Sequence, residues 1–258
     1  MIGSDLLAVL SGSVVGFTLG LIGGGGSILA LPLLLYVVGI KDPHIAIGTS
    51  ALAVAINAFA NLIGHWRAGT VKWPCAAMFA VSGVIGAAGG SSLGKLVGGD
   101  KLLFFFALVM IAVGIAMLRP RDTSGDPNVH INPGIALRLA AIGLLAGVIS
   151  GFFGIGGGFL VVPGIMLGSG MPIINAIGSS LFSVGAFGLT TAINYALSGL
   201  IDWPIAGAFI LGGIGGGIVG MKAALRLATQ KQLLSRIFAG VLFVVAAYMA
   251  VRSASGFF

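Results

Sequence analysis

Residues 147–163 read GVISGFFGIGGGFLVVP, and residues 16–32 read GFTLGLIGGGGSILALP. Aligned at an offset of 131, the two stretches share five glycines and a proline. The match continues at an offset of 130, where Trp73-Pro74 meets Trp203-Pro204. Glycine, tryptophan and proline recurring in one order indicate an internal duplication. We therefore predict a first repeat at residues 1–119, a linker at 120–133 and a second repeat at 134–258.

The composition excludes a water-facing surface. Of the 258 residues, 58% are hydrophobic and only 7% are charged, against about 25% charged in soluble domains. A net charge of +7 would suggest nucleic acid as the partner of a soluble protein. Here the basic residues lie between apolar stretches, where membrane insertion places them. No nucleic-acid partner is expected.

Long uncharged stretches predict membrane-spanning helices. A span needs about 20 apolar residues, and backbone in lipid must be hydrogen-bonded internally, as in a helix. The first residues, MIGSDLLAVL, lack the basic start and cleavage site of a signal peptide, so we expect them to open the first span. The stretches are residues 6–40, 45–64, 73–94, 102–118, 139–201, 203–221 and 237–251.

The distribution of basic residues predicts how the repeats are oriented. If each half crosses an odd number of times, nine basic residues share one side and four the other; an even number removes this asymmetry. The nine are Arg67, Lys72, Arg119, Arg121, Arg138, Lys222, Arg226, Lys231 and Arg236. The positive-inside rule then favours inverted repeats, with a cytoplasmic linker and both termini outside. The predicted fold is all-α integral membrane, with two inverted-topology repeats, each a Gly-broken helical hairpin plus three transmembrane helices.

The glycine clusters at residues 23–26 and 154–158 predict breaks in these helices, because each glycine costs about 1 kcal/mol relative to alanine. Close helix packing through small residues is the alternative, and we expect it for Gly16/Gly20 and Gly147/Gly151. A break exposes the first amides of the next helix, starting near Ser27 or Phe159, and such amides bind anions. The predicted ligands are Gly23, Gly24, Gly25, Gly26, Ser27, Gly154, Gly156, Gly157, Gly158 and Phe159.

Hydroxyl and amide side chains are predicted to line the rest of the path. Thr49-Ser50 and Ser179-Ser180 hold equivalent positions in the two halves. Asn57 and Asn61 are four residues apart and share a helix face. For the two asparagines an interhelical hydrogen bond is an equally good interpretation.

Several classes of site have no candidate residues. No charged residue lies clearly within an apolar span, so the usual intramembrane carboxylate for protons or Na⁺ has no candidate. Cys75 is the only cysteine, which excludes an internal disulfide and a cysteine metal cluster. Paired carboxylates, HExxH and a Walker lysine motif are missing as well. We predict a protein that is not an enzyme and has no catalytic residues, metal ion or cofactor.

The doubled pattern GxxxGxxGxGGGxxxxP resembles the TauE/SafE family, as do IGTSALAV, IGSSLFSV, GTVKWP and GLIDWP. The resemblance covers nearly the whole chain. It implies a bacterial inner-membrane secondary transporter that moves sulfite or an organosulfonate, often outward. Alternating access is the expected mechanism; an anion or small-solute channel and a non-transporting membrane assembly subunit are the alternatives. The expected partners are a small anionic substrate and membrane lipid, and a homo-oligomer is left open.

Overall fold

The computed structural model describes residues 2–118, 125–126, 129–226, 240 and 243–249. In the first half the elements are α1 (Ile2–Ile22), a 3₁₀ segment (Gly23–Leu29), α2 (Ala30–Leu33), a π-helical turn (Leu34–Val38), α3 (Pro43–Arg67), α4 (Trp73–Leu96) and α5 (Gly99–Leu118). In the second half they are α6 (Pro133–Phe153), α7 (Gly158–Ser169), α8 (Ile173–Ala196) and α9 (Trp203–Arg226). About half of the predicted linker and about half of the last predicted span lie outside the described residues.

The described residues contain no strand, and six of their helices, α1, α3, α4, α6, α8 and α9, are long and apolar enough to cross a membrane. The prediction of an all-α integral membrane protein is confirmed. Local sequence explains the helix boundaries. Pro43 and Pro133 stand at helix starts, where the missing amide hydrogen costs nothing. Gly69 and Gly199 take left-handed backbone angles just after α3 and α8.

The two halves interlock through glycine-lined contacts. Helix α1 packs along α9, and α6 packs along α4, so each half places its first helix on the other half. A side chain on Gly16 would strike the backbone of Gly213, and one on Gly147 would strike Gly83. These helices approach so closely only because glycine has no Cβ. The packing role predicted for Gly16, Gly147 and the glycines four residues after them is confirmed.

The central helices α3 and α8 run antiparallel. Gly48, near the start of α3, contacts Tyr195 near the end of α8, whereas Gly188 contacts Ala55. The paired numbers rise on one helix as they fall on the other. The two helices hold equivalent places in the predicted repeats. Their opposite directions are those expected if one half is inverted relative to the other.

The outer pairs run parallel. Gly12 contacts Phe209 and Gly20 contacts Gly217, so the numbers rise together along α1 and α9. The same holds for α6 and α4, where Gly143 meets Phe79 and Gly151 meets Ala87. Short connections make α3 antiparallel to α4 and α8 antiparallel to α9. Helices α1, α3 and α9 therefore share one direction, and α4, α6 and α8 share the other.

Each half opens with a helical hairpin broken at glycine. After α1 the chain folds back so that Gly26 lies against Thr18, and after α6 it folds back so that Gly157 lies against Ser150. The returning arms are short. Helix α7 has 12 residues and a length of about 18 Å, well below the hydrocarbon thickness of about 30 Å. The glycine turns therefore lie inside the helix bundle.

The two breaks differ in form. Helix α7 begins at Gly158, one residue before the predicted start. The predicted start near Ser27 is wrong, because residues 23–29 form a 3₁₀ helix and α-helical geometry resumes at Ala30. In the second half Ile155 interrupts the glycines, and Gly154, Gly156 and Gly157 have left-handed angles that reverse the chain tightly. The run of four glycines in the first half has no such side chain and takes the tighter 3₁₀ winding.

Candidate functional site

Gly156 lies where α3 and α8 cross. A Cβ placed on it would be 3.0 Å from Cγ1 of Val54 and 3.3 Å from Cγ1 of Val184. Val54 and Val184 are equivalent residues near the middle of their helices. The turn of the second half therefore reaches the centre of the bundle, at the point where the equivalent helices meet.

Each glycine break lies against the central helix of the opposite half. The Ser50 hydroxyl on α3 is 3.4 Å from the Gly154 carbonyl oxygen and also donates to Ile47 at 2.9 Å. The arrangement recurs on α8, where a Cβ on Gly23 would lie 3.2 Å from the Ser180 hydroxyl oxygen. Ser50 and Ser180 are completely buried. The structure thus brings both predicted serines to the predicted breaks.

Thr49 and Ser179 have a different environment. The Thr49 hydroxyl accepts a hydrogen bond from the Asp202 amide at 3.0 Å, and the Ser179 hydroxyl accepts one from the Lys72 amide at 2.8 Å. Each bond ties the loop before α9 or α4 to the central helix of the other half. Both hydroxyls are directed toward loops, and among the described residues neither forms a hydrogen bond to a glycine break.

A polar stripe follows one face of α3. Asn57, Asn61 and His65 are spaced by four residues and are all buried. The Asn61 amide donates to the Asn57 carbonyl oxygen at 2.9 Å, within the same helix. The Asn57 side chain lies against Gly213 of α9, and neither of its polar atoms has a hydrogen-bond partner in the structure. The interhelical hydrogen bond considered for the asparagines is therefore not formed.

The N-terminus of α7 offers hydrogen-bond donors to a ligand. Gly157 caps this helix without any side-chain hydrogen bond, and the first amides of an α-helix have no partner within it. Beside Gly157 lies Ser150 of α6, whose hydroxyl is buried and has no hydrogen-bond partner in the part of the chain that the structure describes. Ser150 was not predicted as a site residue. Its signal in the sequence is a departure from the repeat, since Leu19 holds the equivalent position.

The remaining predicted ligands are less fully defined. Gly26, Ser27 and Gly158 are buried beside the breaks. Gly24, Gly25 and Phe159 contribute only backbone to the described structure. Every predicted site residue whose burial is described is buried. Among the described residues, no group of three or more His, Cys, Asp or Glu lies together.

Comparison with known proteins agrees with this architecture. The family model for the sulfite exporter TauE/SafE matches residues 8–249. The chain belongs to the TauE/SafE family. It is a multi-pass membrane protein of a transporter family, as predicted from the doubled glycine–proline block.

Two relatives with transporter names match over nearly their full lengths, and a third relative matches over a shorter stretch. A "Probable membrane transporter protein" of Xylella fastidiosa strain 9a5c is 52% identical over 251 residues, covering 97% of this chain and 96% of the relative. "Probable membrane transporter protein YunE" of Bacillus subtilis is 26% identical and covers 94% and 96%. "Sulfite exporter TauE/SafE family protein 5" of Arabidopsis thaliana is 31% identical over 90 residues, 35% of this chain and 20% of that protein.

Proposed function

We propose that this TauE/SafE member is a secondary transporter that exports a small sulfur oxyanion, sulfite or an organosulfonate, across a bacterial inner membrane. The sulfur in the substrate rests on the name of the family. The choice of an anion rests on the site itself. The choice depends on one observation. The N-terminus of α7 has no side-chain cap, and the glycines with left-handed backbone angles that precede it place it at the crossing of α3 and α8.

The donors around α7 suit an oxyanion. The positive end of the helix dipole and the free first-turn amides favour negative charge, and the unpartnered Ser150 hydroxyl supplies another donor. None of these groups carries a full charge. A site of neutral donors binds an oxyanion without the strong hold of a buried ion pair, which suits a carrier that must also release its substrate.

Alternating access is supported by the burial of the site and by the helix directions. If the central helices both cross the membrane, two equivalent helices that run antiparallel are related by inversion. Parallel repeats would instead give α3 and α8 one direction. We propose inverted repeats at residues 1–119 and 134–258, with the linker in the cytoplasm and both termini outside, as the basic residues indicate.

Counterflow in proteoliposomes tests the transporter. Vesicles loaded with unlabelled sulfite should accumulate labelled sulfite, with saturation and with competition by taurine or sulfoacetate. Flux without saturation or counterflow would favour the channel instead. Correctly inserted protein without flux would favour a non-transporting assembly subunit.

The variant Ser150→Ala tests the site. Since the hydroxyl has no internal partner, its removal should leave the thermal unfolding temperature unchanged or raised. The KM for sulfite should rise roughly tenfold or more, as expected from the loss of a hydrogen bond to a charged group, about 1.5–3 kcal/mol. Ser82→Ala is a matched control. Among the described residues, that hydroxyl bonds only to carbonyl oxygens of its own helix, at 3.1 and 3.2 Å. Equal KM values for both variants would remove Ser150 from the site.

A further inference from the structure

A groove lies between the second half of α3 and the second half of α9. Its volume is about 330 Å³. The walls are mainly apolar and include Ala60, Ile63, Ile214 and Ile218. The polar lining residues are Asn61, which also belongs to the predicted substrate path, and Arg67 at the end of α3. Ile63 and Ile218 are 50% and 51% exposed. In a membrane-spanning bundle such surfaces meet the acyl chains of lipids.

Two tryptophans mark the depth of the groove in the membrane. Trp66 and Trp73 lie edge to face with their ring centroids 6.3 Å apart, and both are exposed. Exposed tryptophans at span ends favour the level of the lipid headgroups. Arg67 follows Trp66 directly and therefore lies at that level. Ala60 is seven residues earlier on the helix, about 10 Å deeper, so the groove extends from the headgroups into the hydrocarbon.

The positive charge at the headgroup end of the groove favours an anionic occupant. Arg67 is exposed and has no ion-pair partner among the described residues. Lys222, next to the groove residue Met221, is exposed as well. A guanidinium binds phosphate oxygens through paired hydrogen bonds. We propose that the groove binds an anionic phospholipid, with the phosphate on Arg67 and one acyl chain against Ile63 and Ile218.

The equivalent crevice in the other half is closed. There Asn194 stands in place of Gly64, and its amide donates to the Ser91 hydroxyl across the gap between α8 and α4 at 2.6 Å. The Lys95 ammonium adds a bond to the Asn194 side-chain oxygen at 2.6 Å. In the groove Gly64 has no side chain that could make such a bridge. The lipid site is therefore specific to one end of the bundle, the end that carries Arg67.

Lipid retention measured by native mass spectrometry tests the site. Purified protein is exposed to equal amounts of phosphatidylglycerol and phosphatidylcholine, and bound lipid is counted. We expect the wild type to prefer phosphatidylglycerol about fivefold, as for one basic side chain at a membrane surface. Arg67→Gln should abolish the preference. Lys72→Gln, which changes a basic residue of the same loop that does not line the groove, should keep it. An unchanged preference in Arg67→Gln would overturn the proposal.

A second variant tests the shape of the groove independently of the Arg67 charge. Ile218→Trp fills the groove and should reduce the retention of both lipids, whereas Ile85→Trp, at an exposed position of α4, should not. A second copy of the chain is the competing occupant. Efficient cross-linking between copies through Ile218→Cys in native membranes would assign the groove to that copy and contradict the lipid site. Unfolding temperatures equal to wild type confirm that all variants are folded.

Discussion

At the scale of single residues, the two halves differ at the face that contacts the glycine-rich helices. Asn57 of α3 lies against Gly213, and at the equivalent position of α8 the ring of Phe187 lies against Gly83. A phenyl ring needs no hydrogen bond, but a buried amide without a partner costs about 1–3 kcal/mol. Asn57 is such an amide. We propose that Asn57, which stands where the other half has an aromatic ring, contacts the transported solute.

Replacing this amide should separate stability from transport. In Asn57→Leu the side chain keeps a similar size and loses the unpaired polar atoms, so we expect stability to rise by up to about 1–3 kcal/mol. Sulfite counterflow should fall at the same time, because a polar group in the path is lost. Thermal unfolding in detergent and initial rates in proteoliposomes measure the two effects.

Phe187→Leu is the control at the equivalent position. It removes packing volume from the buried pair Phe79–Phe187, whose ring centroids are 6.1 Å apart. Stability should fall by about 1 kcal/mol or more, with the KM for sulfite unchanged. A loss of stability in Asn57→Leu with normal transport would assign Asn57 a purely structural role.

At the scale of helices, glycines on one helix differ sharply in the room available to a side chain. On α4 a Cβ at Gly86 would strike the Leu144 carbonyl oxygen of α6, whereas a Cβ at Gly89 would meet nothing within 4 Å. Gly86→Ala should destabilise the protein by about 1–3 kcal/mol through overpacking. Gly89→Ala should stabilise it by up to about 1 kcal/mol, since alanine favours the helix. Unfolding temperatures of the two variants compare them directly; equal shifts would contradict this packing.

The sequence predicted most of these elements because apolar length and glycine spacing act locally. The spans, the duplication and the packing glycines all follow from such patterns. The hydroxyl of Thr49 shows the limit: its partner is the amide of Asp202, 153 residues away, and no local pattern indicates that contact. The 3₁₀ winding of the first break was not predicted, because it too depends on contacts outside the local pattern. Four glycines predict that an α-helix is interrupted, but the 3₁₀ winding depends on how Gly26 packs against Thr18.

At the scale of the whole molecule, the interlocked halves constrain any transport motion. Since α1 packs along α9 and α6 along α4, one sequence half cannot move as a rigid body against the other without breaking both glycine-lined contacts. The units that can stay intact are the α1–α9 and α4–α6 pairs, each formed from both halves. Movement of these pairs against the crossing of α3 and α8 would expose the breaks while leaving the α1–α9 and α4–α6 contacts intact.

Inverted halves would give such a motion two symmetry-related states, open to opposite sides of the membrane. Labelling of two equivalent loops tests whether the halves are inverted. Ala68 and Ser198 hold equivalent positions after α3 and α8, and both are exposed. In a Cys75→Ala background, Ala68→Cys should react with an impermeant maleimide from the cytoplasmic side, where Arg67 and Lys72 lie. Ser198→Cys should react only from the outer side, because α3 and α8 run antiparallel. Right-side-out and inside-out vesicles provide the two exposures, and labelling of both cysteines from one side would contradict inverted repeats.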